Sequence, residues 1–148
     1  MKNMDFNIRR ANFEDLDGIH NVEANSFSDP WSKSLFKIAL TDSLTEIWVA
    51  ETEKIVGFMI YSKLFEVSLD NIAVLKECRG NGIGNKLLER LMEFSKENEI
   101  TLEVEHDNEP AKSIYEKFGF KIEGMRQDYY GKGRHAYIMW KRSISGGK

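Results

Sequence analysis

The stretch with the plainest chemical capacity is Asn71-Ile72-Ala73-Val74 followed by Arg79-Gly80-Asn81-Gly82-Ile83-Gly84, running straight into an amphipathic segment. It reads as a strand, a glycine-rich turn and a helix start. Unpaired N–H groups at a helix N-terminus and the positive end of its dipole attract phosphate, and glycines let the phosphate approach with no Cβ in the way. The expected ligand is a phosphorylated cofactor. Two familiar phosphate motifs fail by spacing: a dinucleotide fingerprint beginning at Gly80 needs glycine where Asn85 stands, and no Gly-Lys-Ser/Thr closes a P-loop. The other reading of the same residues is a flexible turn that permits close helix packing. Cys78, just before the turn, is the single cysteine and invites an acyl-enzyme reading. No histidine lies near it in sequence, so only one brought close by folding would activate it. His20, His106 and His135 are too scattered for a metal-ligand motif, and no metal is expected.

The elements that must position this turn follow from periodicity. Asp5 to Arg10 reads as a strand, and Asn12 caps a helix over Phe13 to Ser26 with Glu14 and Asp15 in its first turn. After the break at Asp29-Pro30-Trp31-Ser32, Leu35, Phe36, Ala39 and Leu40 mark a second short helix. Ile47 to Ala50 and Ile55 to Tyr61 form a hairpin around Glu51-Thr52-Glu53-Lys54, and a third strand covers Glu66 to Val74. Ile83, Leu87, Leu88, Leu91 and Phe94 line one face of a long helix, and Ile100 to Glu105 alternates as a strand. Pro110 suits a helix's first turn, Gly119 its end, and strands at Phe120 to Met125 and Arg134 to Lys141 close the pattern. The order β α α β β β α β α β β predicts an α/β or α+β fold with a mixed sheet.

Composition bounds the rest. With 41% apolar residues the 148-residue chain has enough to bury a core, and a net charge of −3 gives no basic field for nucleic acid. Its longest strongly apolar stretch, Ile55 to Tyr61, is far short of the roughly 18 residues of a membrane helix. One cysteine excludes an internal disulfide, and a soluble cytoplasmic protein is expected.

Arg79-x-x-Gly82-x-Gly84 after Ile72-Ala73-Val74 resembles the acetyl-CoA signature of the GNAT N-acetyltransferases, and Asn108-x-x-Ala111-x-x-x-Tyr115-x-x-x-Gly119-Phe120 resembles their second motif. Phe27-x-x-Pro30-Trp31-Ser32, Leu102-Glu103-Val104 and Arg126-x-x-Tyr129-Tyr130 with Ala136-x-x-Met139 extend the likeness to the RimI-type ribosomal-protein-alanine N-acetyltransferases over nearly the whole chain. Two residues depart from that pattern, Glu105 where Arg is usual and His135 where Asp is usual, and both bear on acceptor specificity.

The resemblance implies a GNAT fold over residues 1–142, with six to seven strands and about four helices, followed by a loose tail over residues 143–148. It implies acetyl-CoA as co-substrate, held by Ile72, Ala73, Val74, the turn Arg79, Gly80, Asn81, Gly82, Ile83 and Gly84, and by Asn108. By the same resemblance Glu103 is the general base, Tyr115 the acid that protonates the CoA thiolate, and a backbone N–H at Ile72 to Val74 polarises the carbonyl. Read without it, Glu103 is a solvent-facing strand residue, Tyr115 a core aromatic and Asn108 a helix cap. Trp31, Tyr129 and Tyr130 are either core or a wall of the acceptor slot. Glu105 falls on the same strand face as Glu103, where two like charges raise each other's pKa and attract a basic peptide. The acceptor implied is a protein N-terminus, as of a ribosomal protein. The alternatives are a small amine, a lysine side chain, or a non-catalytic acyl-CoA sensor.

Overall fold

A computed structural model describes residues 4–93 and 98–142. Phe94 and the tail over residues 143–148 lie outside the described residues. The strands are β1 (Asn7–Arg10), β2 (Thr45–Glu51), β3 (Ile55–Lys63), β4 (Val67–Val74), β5 (Ile100–Glu105), β6 (Lys121–Arg126) and β7 (Ala136–Lys141), and the helices are α1 (Leu16–Ser26), α2 (Lys33–Thr41), α3 (Ile83–Met92) and α4 (Glu109–Lys117). The element order is the one the periodicity predicts. Boundaries differ in two ways: several strand ends shift, the first strand starting at Asn7, β2 at Thr45 and β7 at Ala136, and the first helix opens with a 3₁₀ turn over Phe13–Asp15. The cause of the second is a capping box in which Asn12 and Asp15 satisfy each other's backbone N–H groups, while Arg9 grips the Asp15 carboxylate with both terminal nitrogens, at 2.9 and 2.8 Å.

The seven strands form one sheet in the order β1-β2-β3-β4-β5-β7-β6. Every neighbouring pair is antiparallel except β4 and β5. β3 is buried throughout Ile55 to Tyr61, as a strand covered on both faces must be. On one face Phe58 meets Phe36 of α2 edge-on, with ring centroids 5.6 Å apart, and on the other Ile83 of α3 lies over Gly57. The stripe Ile83, Leu87, Leu88 and Leu91 is wholly in the core. No helix among the described residues is long and apolar enough to cross a membrane.

The feature that makes a site is the seam between β4 and β5. They are in register only from Val67 opposite Ile100 to Leu69 opposite Leu102, after which β4 runs on to Val74 with β3 alone and β5 runs on to Glu105 with β7. The sheet opens there into a slot. A β-bulge marks the same place: Ile60 pairs with Asn71 and Tyr61 with Leu69, so Asp70 is an extra, unpaired residue in β4.

Candidate active site

One wall of the slot is backbone. Leu75 donates its N–H to Val56 of β3 at 2.9 Å, and antiparallel alternation then turns Ala73 toward β3 as well. The N–H groups of Ile72 and Val74 therefore face the slot, where no strand pairs with them. This narrows the expected polarising donor to those two and corrects Ala73, whose backbone belongs to the sheet. Arg79 donates from Nε to the Val74 carbonyl at 2.9 Å, tying the turn to the end of β4.

The turn itself has the expected form. Gly80 and Gly82 take φ values of +85° and +84°, a region that L side chains avoid, and a Cβ on either would point into open space. Gly82 is the N-cap of α3, without a capping side chain and without an acidic residue in the first turn, so the helix's leading N–H groups face outward. These residues fit a pyrophosphate. Ile83 adds an N–H while its side chain is in the core, and Gly84 lies near Ile114 of α4. The side-chain amide of Asn81 donates to the Cys78 carbonyl at 2.9 Å and accepts from the Met4 N–H, so its side chain is turned inward and fixes the loop, leaving its backbone as the part of it that can meet a ligand. Cys78 is 5% exposed, within the core.

α4 supplies the next groups. Asn108 caps it by accepting from the Ala111 N–H at 3.2 Å, which realises the capping role. At the far end Gly119, with φ +97°, closes a Schellman motif in which Gly119 donates to Glu116 and Phe120 to Tyr115. The accompanying apolar contact is Tyr115 against Phe120, centroids 5.9 Å apart. Tyr115 is thus fixed by the helix end and is 8% exposed; burial holds its hydroxyl well above the usual phenol range, protonated at neutral pH.

The other wall is made of side chains. A cavity of about 740 Å³ lies beside the seam, and Trp31, Asp70, Glu103, Arg126, Tyr129 and Tyr130 are among the residues lining it. The three aromatics are therefore walls of the slot, with Trp31 also packed on Phe36 at 5.2 Å. Glu103 pairs with Arg126 Nε at 2.7 Å and accepts a hydrogen bond from Tyr129, which raises the Tyr129 pKa. Burial, then the charge of Glu103, pushes Tyr130 up to about 12, and Tyr130 in turn lies within electrostatic reach of Tyr115. Glu103 of β5 lines this cavity, while Tyr115 of α4 does not and is linked to it only through the charge of Tyr130.

Glu105 does not act as expected. It shares the strand face of Glu103, but Arg134 grips it with two nitrogens at 2.7 and 2.9 Å. That guanidinium holds the Glu105 carboxyl below its ordinary range, the reverse of the rise expected from like-charge repulsion. His135 accepts at Nδ1 from the Asp128 N–H at 3.0 Å and so shapes the β6–β7 loop that carries both tyrosines.

Three participants escaped sequence reasoning. Glu23 of α1 is 2% exposed and accepts from the Trp31 N–H at 2.9 Å and from Asn71 Nδ2 at 2.8 Å, fastening the Trp31 side of the cavity to β4. A glutamate beside the stripe residues Ile19 and Val22 was the available signal. Arg126 was visible only as part of a motif, and Asp70, on the strand face of Ser68, looks in sequence like any exposed strand residue.

Comparison with known proteins agrees with this arrangement. The family model described as Acetyltransferase (GNAT) family matches residues 13–120. A Haemophilus influenzae protein named [Ribosomal protein bS18]-alanine N-acetyltransferase is 33% identical over 122 residues, covering 80% of this chain and 83% of its own. The N-alpha-acetyltransferase RimI of Mycobacterium tuberculosis is 33% identical over 131 residues, covering 82% and 83%. The crystal structure of the ribosomal-protein-S18-alanine N-acetyltransferase from Escherichia coli superimposes with a TM-score of 0.87 at 27% identity, over 97% of this chain and 98% of that one. With the matching fold, signature turn and slot, the chain belongs to the GNAT acetyltransferase family and is an acetyl-CoA-dependent N-acetyltransferase.

Proposed function

We propose that the acceptor is the α-amine of a protein N-terminus, a ribosomal protein being the leading candidate, and that acetyl transfer to it is direct. The observation that carries this reading is a carboxylate, Glu103, in a cavity at the open seam of the sheet, where the N–H groups of Ile72 and Val74 are left without a strand partner. The names of the Haemophilus, Mycobacterium and Escherichia relatives, all of which specify α-amino or alanine acetylation, support the acceptor class.

In this reading the turn from Arg79 to Gly84 holds the pyrophosphate by backbone N–H groups, with Asn108 nearby at the start of α4. The Ile72 or Val74 N–H holds the thioester carbonyl oxygen as negative charge grows on it. An α-amine with a reference pKa near 8 arrives mainly as ammonium at pH 7. Glu103 accepts its proton, directly or through one water. The freed nitrogen forms the C–N bond as the C–S bond breaks, and Tyr115 gives its proton to the departing sulfur. Trp31, Tyr129 and Tyr130 wall the acceptor's path, and the buried position of Cys78 favours direct transfer over an acyl-cysteine. The test is incubation with acetyl-CoA and peptides with free or blocked N-termini, locating the acetyl group by mass spectrometry. Acetylation confined to free α-amines is the expected result, and efficient modification of lysine in blocked peptides overturns the α-amine assignment.

A further inference from the structure

An α-ammonium nitrogen sheds two protons on the way to an amide. One leaves before attack, to free the lone pair, and the second leaves after the C–N bond has formed. A single base must discharge the first proton before it can take the second, so a site with two carboxylates has an evident use for both. The described cavity has such a pair. Asp70 lies two residues from Ser68 and so on the same strand face, and both line the cavity together with Glu103 of β5. Resting on the α-amine reading above, we propose that Asp70 is a second catalytic carboxylate, which takes one of the two protons from the acceptor nitrogen while Glu103 takes the other.

The two carboxylates are held in different surroundings, which is how a site divides acid and base work between like groups. Glu103, on β5, is occupied by the Arg126 guanidinium of β6 and the Tyr129 hydroxyl of the β6–β7 loop. Asp70 has no ion pair among the described residues and accepts from the Ser68 hydroxyl at 2.9 Å. It stands at the solvent-accessible mouth of the cavity, yet desolvation lifts its carboxyl above the usual aspartate range; hydrogen bonds from Ser62 and Ser68 oppose the rise and the charge of Glu103 adds to it. The other ionisable groups facing it are Glu66 just before β4, Arg126 on β6, and Tyr129 and Tyr130 in the β6–β7 loop. A raised carboxyl is the better proton acceptor from an amine. The step balances: ammonium and thioester become amide, thiol and one free proton. Of the two protons shed, one restores the Tyr115 hydroxyl after it has protonated the sulfur, and the other passes to water.

The experiment uses the full chain, saturating acetyl-CoA and a synthetic peptide beginning with a free alanine, on Asp70→Asn, Asp70→Ala and Glu103→Gln. Asp70→Asn is expected to lower kcat about 10²-fold at pH 7 with acetyl-CoA affinity unchanged. The loss shrinks as the pH rises past about 8, where the amine arrives neutral and has one proton fewer to shed. Added formate is expected to restore part of the turnover of Asp70→Ala in a saturable manner. A wild-type kcat with only a raised acceptor KM would reduce Asp70 to an attractor of ammonium, and a pH-independent loss without formate rescue would reduce it to a shaping residue. Either overturns the proposal. The underlying reading fails separately, through a wild-type enzyme that leaves the peptide α-amine unmodified or a Glu103→Gln variant with wild-type turnover.

Discussion

The two walls of the slot are built from different materials. The wall that the proposed reading gives to the cofactor is main chain: the outward N–H groups of Ile72 and Val74, the turn at Gly80 and Gly82, and the uncapped start of α3. The wall proposed to face the acceptor is side chain: Glu103, Asp70, Arg126, Tyr129 and Tyr130 reach it from β4, β5, β6 and the loop beyond. A main-chain surface tolerates substitution wherever the fold survives, and it recognises what every use of the enzyme shares, the acetyl donor. A side-chain surface changes with single substitutions, and it faces what differs between relatives, the acceptor. Donor binding and acceptor choice are thereby able to vary independently.

That contrast is open to attack on each side. The largest expected effect is Glu103→Gln, which should lower turnover by roughly 10² to 10⁴ for every acceptor while acetyl-CoA affinity holds. A comparable loss of affinity, measured calorimetrically, would show that the walls are not independent. Tyr115→Phe should cost about 10²-fold in single-turnover rate, the low end of the range, because a thiol with a free pKa near 8.5 departs tolerably unaided. Wild-type turnover would leave Tyr115 as a packing residue against Phe120.

On the cofactor wall, Gly82→Val should weaken CoA binding by at least about tenfold, since left-handed backbone costs an L residue about 1–2 kcal/mol and the new side chain occupies the phosphate's approach. Arg79→Lys should change it less, because Arg79 Nε is spent on the Val74 carbonyl and the backbone supplies most donors. Equal losses in the two would contradict a main-chain site. The smallest effect belongs to Glu105→Gln: its charge is already met by Arg134, so kcat/KM for basic and neutral peptides should shift by no more than about fivefold, the reach of an exposed ion pair. A larger, salt-sensitive change confined to basic peptides would return Glu105 to the acceptor wall.

The same contrast decides what could be read from the chain beforehand. The strand and helix order follows from apolar periodicity, and the turn is contiguous in sequence, so both were legible. Glu103 and Tyr115 were legible as motif residues, though nothing local distinguishes a base from a solvated strand glutamate. The Glu105 charge was misread because its partner, Arg134, is 29 residues away and meets it only when β5 pairs with β7. Asp70 was not singled out because the face on which alternation places it becomes a cavity only when β4 meets β5, and Glu23 because a buried carboxylate satisfied by Trp31 and Asn71 looks, in sequence, like any helix glutamate.

The seam between β4 and β5 has a consequence for cooperativity. Among the described residues three pairs are the whole strand register between the two halves of the seven-stranded sheet, and the slot opens where that register ends. A ligand that lies across that boundary, contacting β4 and α3 on one side and α4 on the other, supplies the missing cross-strand linkage. At a hundredfold excess over its Kd such a ligand adds about 2.7 kcal/mol to the folded state by mass action. The open sheet is, in that sense, a strand short, and occupancy completes it.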